Sequence, residues 1–586
     1  MIIEMNKFCI SAILSAMALT AVAEDPLTKE IVVEKDYIPV EQKANKVSSS
    51  AQTIKLKRKA GEISFSDWNS PVETGNGICT MSPYGYSTSR TFSSHRGYLD
   101  ASAGSFLNIN ASAGFRIVDG ERTKLNLWLQ HNSTWGMDNP YTLITPSSSE
   151  LTTIDYEQKF INDVVGLDLI NSFRDGRLTI GANYHFARLN YLNQEVDGPE
   201  WFNNINEVHA NVGYEGGLAE RRTMYEIGAD INHFGNSVAQ YYGLKSSDWH
   251  LRLNAGISQP FGDENRIGID MLGEYLSSES EVDAQHAADV PTFSNSRGKL
   301  RFTPFYTYAG ERMNFRLGAN LDVSFSDGTI LRVSPDASFG YTFTPGFAFF
   351  AEARGGKDFN TFSRMFALNR YTFAAPDEAF CSSYTVADAK AGFKIGPFSG
   401  FNATLNAGWG KVRDAIMPTC DVFGGSRWNI PGTLYPGTLY YNDDLAGFWF
   451  GGRLSYDYSD VVSVAVEGRY SKQDSHDDYA FGIDRPEYIV NASLKVRPIR
   501  PLSIGVAYEY RGGRQLWHGM EVNGMPMWYS EELGNVNNLS ASARYDFSEK
   551  LAVTLNANNI LGHEWEMAPF YSAQKFGIMG GVSLKF

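Results

Sequence analysis

The chain has 586 residues and a formal net charge of -15, from 51 Lys+Arg against 66 Asp+Glu. Hydrophobic residues at 43% and charged residues at 20% exclude extensive disorder, and the acidic balance argues against nucleic acid as a partner. Mean hydropathy is -0.28, and no apolar run reaches the roughly 18 residues of a spanning helix; this excludes a polytopic helical membrane protein but not one made of strands, whose every second residue can be polar.

Met5-Asn6-Lys7, the apolar stretch Phe8 to Leu19 and the small-residue site Ala21-Val22-Ala23 read as a signal peptide over 1–23. The mature chain then starts near Glu24, outside the cytoplasm. Cys9 sits at the start of the apolar run, not at a lipoprotein cleavage point. Pro39, Pro71, Pro83 and the run Ser48-Ser49-Ser50 make segment 24–96 irregular. Its small basic cluster, Lys55, Lys57, Arg58 and Lys59, reads as a solvated run.

From residue 97 onward one unit repeats: a period-2 strand, a tight turn, a second such strand and a longer loop. Met313, Phe315, Leu317, Ala319, Leu321, Val323 and Phe325 alternate with Asn314, Arg316, Asn320, Asp322 and Ser324. Successive strand side chains point to opposite faces, so one face is apolar and the other polar along its length. The same alternation places strands at 97–103, 107–117, 124–135, 157–173, 178–190, 205–215, 222–234, 248–260, 265–277, 297–308 and 312–326. It continues at 329–343, 346–357, 385–396, 401–413, 446–458, 461–472, 487–497, 502–513, 535–547, 550–559 and 575–586.

Every second connection is short, as at Asp119-Gly120, Asp175-Gly176, Thr344-Pro345-Gly346 and Ser459-Asp460. The other set is mostly long, as at 136–156, 358–384, 414–445 and 514–534. Long strands with trimmed turns at one end and elaborate loops at the other define an all-β, antiparallel, up-and-down transmembrane barrel. Twenty-two strands are expected, with the barrel over 97–586. Such a sheet closes because an open edge cannot stand in lipid. The closing strand puts Phe576, Ile578, Val582, Leu584 and Phe586 on one face, and a terminal Phe586 is similar to the signal read by the barrel-insertion machinery. The location implied is the outer membrane of a Gram-negative envelope, in contact with its lipid.

Neighbouring charges Glu352/Arg354, Glu467/Arg469 and Glu509/Arg511 fall on the wet face. They are expected to line the lumen, as a path for a polar solute or as pairs that neutralise one another. Loops 426–441, with Trp428 and Tyr435, and 516–529, with Trp517, Met525 and Trp528, are apolar for external loops. They are candidates for partner contact or for packing on one another across the mouth. Cys381 and Cys420 fall in successive external loops in an oxidising location, which makes a bridge between them a candidate disulfide. Asp474, His476, Asp477 and Asp478 lack the spacing of an EF-hand and read as a solvated loop. No metal-ligand or nucleophile motif occurs, so neither a cofactor nor an enzyme activity is expected.

The strand number, the stretch Asn556-Ala557-Asn558-Asn559-Ile560-Leu561-Gly562-His563-Glu564-Trp565-Glu566, the loop Phe362 to Tyr371 and the strand end Tyr508 to Arg514 resemble TonB-dependent outer-membrane receptors. That resemblance implies uptake across the outer membrane. It also implies a plug of well over a hundred residues inside the barrel, whereas segment 24–96 has 73 and carries no convincing plug motif. The expectation is therefore a receptor-type barrel without a full plug, its lumen occluded by the N-terminal segment, by inward-folded loops or by a partner. Ile31-Val32-Val33 is similar to the short extended motif by which such receptors pair with TonB. The alternative function is a non-transporting barrel that scaffolds an envelope or surface assembly with a lipoprotein.

Overall fold

A computed structural model of the chain describes residues 95–586, without 139–140, 145–150, 155–156, 192–199, 218–222, 240–242, 283–292, 326–329, 373–381, 422–438, 476–484, 523–524 and 569–570. The signal peptide, Ile31, Val32, Val33, Trp428, Tyr435 and Cys381 lie outside the described residues.

Twenty-two antiparallel strands make the wall, running in sequence order from Gly97–Gly104 to Gly577–Lys585. The first and last strands pair with each other, from Tyr98↔Lys585 to Gly104↔Met579. The Gly97 amide donates to the Phe586 carbonyl at 2.8 Å, and the Phe586 amide donates back to Gly97 at 3.0 Å. Among the described residues no strand edge of the wall is left open. In hydrocarbon each unpaired backbone group costs several kcal/mol, so a wall of alternating sequence reaches a stable state only by closing on itself.

The alternation read from sequence is the alternation of the wall. On the strand Phe202–Gly216, Val208 and Val212 are exposed, while Glu207, His209 and Asn211 point the other way. Ile227, Leu317 and Leu405 are 62%, 56% and 52% exposed. That much bare hydrocarbon on every strand would be a liability in water and is at rest only against lipid. Aromatic rings band the turn end of the wall. Phe343 stacks on Phe347 at 5.1 Å, Phe347 on Phe393 at 5.7 Å, and Tyr308 on Phe315 at 5.4 Å. Phe586 joins the band by stacking on Phe115 at 6.3 Å. Amphipathic rings of this kind sit at the membrane–water boundary.

The loop end holds more order than the sequence pattern revealed. Strands Phe401–Asp421 and Leu439–Tyr458 run 21 and 20 residues, well past the expected 401–413 and 446–458. Above the lipid both faces of a hairpin can be wet, so the ladder continues while the hydrophobic alternation stops. Two hairpins, Tyr141–Ile144 with Leu151–Ile154 and Gln515–Val522 with Met525–Glu532, stand in the long loops 136–156 and 514–534. The second pairs in parallel with the end of Phe401–Asp421, through Cys420↔His518 and Asp421↔Gly519. Backbone pairing thus ties the loop that carries Trp517, Met525 and Trp528 to the one that begins at Asp421.

Two adjacent positions separate the faces experimentally. Val212→Lys, on the lipid side, is expected to cost about 2–4 kcal/mol if it lies near the bilayer midplane. Asn211→Lys, which sits opposite Asp230 in the ladder, is expected to cost under about 1 kcal/mol. Denaturant titration of both variants in lipid vesicles checks the difference, and equal losses would contradict the face assignment.

Candidate functional site

The strand Phe347–Phe359 does not end at the rim. A bulge at Arg354/Gly356 interrupts its ladder with the next strand, pairing resumes from Gly356↔Thr385 to Phe359↔Ser382, and the chain then leaves the wall as a strap, Asn360 to Thr372, with a short helix at Phe362–Leu368. The bulge demands glycine at 356, where φ is +149° and a Cβ would collide with the Arg301 guanidinium. Arg301 needs that space. Its Nε donates to Asp322 Oδ1 at 2.7 Å and its Nη2 to the Lys357 carbonyl at 2.9 Å. Asp322 Oδ2 accepts the Lys357 amide at 2.9 Å, and Lys299 Nζ donates to the Lys357 carbonyl. Lys299 is buried and ion-paired with Glu274 at 3.1 Å. Both backbone groups of Lys357 are therefore held by charged side chains of the wall, and such charge-assisted bonds are stronger than neutral ones.

The strap then seats its helix on the wall strands Phe202–Gly216, Met224–Val238 and Leu244–Phe261. Thr361 caps it, its hydroxyl accepting the Arg364 amide at 3.1 Å. Asp248 Oδ2 accepts the Phe362 amide at 2.6 Å, and Ser363 Oγ donates to Glu207 Oε1 at 2.6 Å. Phe362 and Met365 are fully buried, and Phe366 packs on Phe234 with ring centroids 5.2 Å apart. Beyond the helix, Tyr191 donates its hydroxyl to the Thr372 carbonyl at 2.7 Å. Arg370 lies over the Phe160 ring at 4.4 Å. Tyr371 stacks on Tyr571 at 3.5 Å, and Tyr571 belongs to the loop before the last strand. Burial pushes the Tyr371 hydroxyl above its ordinary pKa. One inward loop thus touches the wall at Phe160, Glu207, Phe234, Asp248 and Arg301 and meets a second loop over the mouth.

Around the strap the inner face is a lattice of ion pairs. Arg316 bridges Asp270 at 2.8 Å and Asp336 at 2.7 Å. His209 meets Asp230 at 2.5 Å, with Arg252 on the same carboxylate at 3.2 Å. The charges singled out from sequence lie on this polar face in varied company. Glu509 pairs with Arg511 on its own strand at 2.7 Å. Glu352 meets Arg354 at 3.5 Å and Lys390 across the sheet at 3.2 Å. Glu467 pairs with Arg453 across the sheet at 3.6 Å, while Arg469 lies 4.8 Å from the Trp449 ring centroid. Among the described residues no group of three or more His, Cys, Asp and Glu side chains could hold a metal ion. The sequence pattern did not reveal the strap's anchors, Asp248, Glu207, Arg301 and Asp322. Period-2 alternation puts them on the wet face without saying what crosses to meet them. The Gly355-Gly356 pair before an aromatic-rich loop was the available signal.

A closed wall of 22 strands, apolar outside and charged within, with short turns at one end and built loops at the other, is a transmembrane β-barrel of the outer-membrane kind. No protein-family model matches the sequence, and no curated protein does either. Solved structures match the fold. The FrpB iron transporter from Neisseria meningitidis superposes with a TM-score of 0.61 at 12% identity, covering 84% of this chain and 81% of that one. The siderophore receptor PirA from Acinetobacter baumannii gives 0.59 at 12%, covering 84% and 80%. The ferripyoverdine receptor of the outer membrane of Pseudomonas aeruginosa gives 0.59 at 12%, covering 84% and 72%. The chain shares the barrel fold of TonB-dependent siderophore receptors.

Loss of the Phe366 ring tests the seat. Phe366→Ala is expected to destabilise the strap locally by about 3–5 kcal/mol. Hydrogen exchange of amides 360–372 should accelerate while the wall amides stay protected. Unchanged exchange in the strap would mean that its packing does not hold it.

Proposed function

We propose that the chain is an outer-membrane barrel for uptake of a solute, of the TonB-dependent-receptor type without a full plug, and that the strap holds the bore shut. The observation that carries this reading is the strap itself. A barrel this wide must be blocked, and the strap reaches from the strand Phe347–Phe359 to Phe160 and Tyr571. Its polar anchors are hydrogen bonds that water can replace if it lifts, and its ring contacts are Phe366 on Phe234 and Tyr371 on Tyr571, beside the buried Phe362 and Met365. The fold likeness to an iron transporter and to siderophore receptors supports uptake rather than a purely structural role.

Under this reading Glu352, Arg354, Glu467, Arg469, Glu509 and Arg511 line the path of the solute. Ile31-Val32-Val33 adds as a strand to TonB at the periplasmic side. Trp428, Tyr435, Trp517, Met525 and Trp528 form the apolar part of the external loops, where an envelope lipoprotein would dock, and Cys381 and Cys420 close a disulfide between the successive external loops 358–384 and 414–445.

Planar-bilayer recording tests the gate. The intact protein is expected to give little or no steady current, and a variant with residues 361–372 replaced by a short Gly-Ser turn is expected to give large, steady channels. A silent variant whose barrel is folded, together with co-purifying envelope proteins, would sink the uptake reading. The TonB contact is tested separately by affinity capture. Val32→Pro removes a backbone donor and should abolish capture of TonB, whereas capture that survives the substitution would place the contact elsewhere.

A further inference from the structure

The inner face is not electrically even, and the strap sits on one side of that unevenness. Its helix docks on the acidic sector, where Asp248 and Glu207 are taken up by Phe362 and Ser363. A different sector, on the strands Leu439–Tyr458, Val462–Ser475 and Tyr488–Ile499, carries cations instead. Arg453, Arg469, Lys495 and Arg497 point to its inner face, with Glu467 and Asp457 the acids among them, Asp457 accepting the Ser463 hydroxyl at 2.6 Å. In a chain with 66 acidic and 51 basic side chains, this local reversal runs against the composition.

The register orders these cations along the bore. Lys495 stands opposite Ser463, Arg453 opposite Glu467, and Arg469 opposite Ile489. The Arg497 amide bonds to the Val461 carbonyl at 2.7 Å, which places it nearest the turn end. From the level of 461 to 469 is about 27 Å of strand at about 3.4 Å per residue. At a strand tilt of about 45° this is roughly 20 Å of height, most of the thickness of the hydrocarbon core. Glu467 engages Arg453 at 3.6 Å. Among the described residues no carboxylate forms an ion pair with Arg469, Lys495 or Arg497. The Nε atoms of Arg469 and Arg497 are buried without a hydrogen-bond partner. Trp449 lies against the Arg469 guanidinium at 4.8 Å. Next to this sector the inner face of Phe401–Asp421 is uncharged from Asn406 through Gly408 to Gly410, and the nearest acid beyond it is Asp388, whose carboxylate lies against Gly410.

We propose that Arg469, Lys495 and Arg497, with Arg453, form an anion ladder on the inner wall, which takes a solute bearing two or more anionic oxygen groups, carboxylate or phosphate. A buried guanidinium donor without a partner is costly to leave unmade, and an anionic oxygen satisfies it with a charge-assisted bond. Successive cations hand such a solute along the wall, and the field concentrates it there before contact. The proposal deepens the uptake reading, since it names the chemistry of what passes.

The test is equilibrium binding of a trisulfonated pyrene dye to the full-length protein in neutral detergent, followed by fluorescence anisotropy. Wild type is expected to bind it with an affinity that falls as salt rises. Arg469→Gln/Lys495→Gln/Arg497→Gln should weaken binding about tenfold or more. Arg469→Lys/Arg497→Lys should retain most of it, which separates charge from structure, and citrate and inositol hexakisphosphate should each compete with the dye. Absence of binding to wild type, or equal binding by the triple Gln variant while its barrel is folded, would overturn the ladder. A bilayer that stays silent after removal of the strap, with dye binding intact and lost in the Gln variant, removes the uptake reading and leaves the ladder standing.

Discussion

An unpaired peptide group in hydrocarbon has nowhere to turn, and the architecture follows from that constraint. Helices satisfy it within a segment; strands satisfy it only through a neighbour, and the first and last strands only through each other. The bonds between Gly97 and Phe586, and the ladder from Tyr98↔Lys585 to Gly104↔Met579, are therefore a condition for every other strand pair in the wall. Once the wall is closed, alternation sends apolar side chains to lipid and collects charges inside. The lattice around Arg316, Asp270 and Asp336 is the result of that sorting. Charges gathered in a confined space hold one another, and the same charges become anchors for any loop that turns inward.

The strap exploits this. Its backbone enters between Arg301 and Asp322, and its helix ends on Asp248 and Glu207. It adds a small apolar contact where Phe366 meets Phe234. Polar anchoring fixes where the strap goes, and the apolar contact adds stability without enclosing a large core. By contrast the wall is protected by continuous ladders on both sides of every strand.

The fold was legible in the sequence to an unusual degree, because lipid imposes a simple rule on each residue. Segments such as 313–325 and 487–497 state their face by hydropathy alone, and all twenty-two expected strands stand in the wall. Legibility ended where lipid ends. The extensions of Phe401–Asp421 and Leu439–Tyr458, the hairpin Gln515–Val522 with Met525–Glu532, and the helix Phe362–Leu368 lie beyond the membrane's reach or inside the wall. There the choice of structure depends on which distant side chain is available. Asp248 and Phe362 are 114 residues apart, and no local pattern announces their meeting. Arg469 shows the same limit. Its spacing from Glu467 predicts a pair, but the Trp449 ring and Arg453 divide those two residues between them.

The seam of the barrel has a bearing on how the molecule assembles. Every ladder of the wall except one joins strands adjacent in the chain, so hairpins can add one after another with modest loss of chain freedom. The exception brings Ser105 to Ile578, 473 residues away. Zipping is thus cheap and local until its final move, when two distant ends must find each other. Up to that moment the growing sheet carries two bare edges, each a template for unwanted pairing. A chain interrupted before Gly577 would keep those edges indefinitely, which makes the last nine-residue strand the quality check of the whole cylinder.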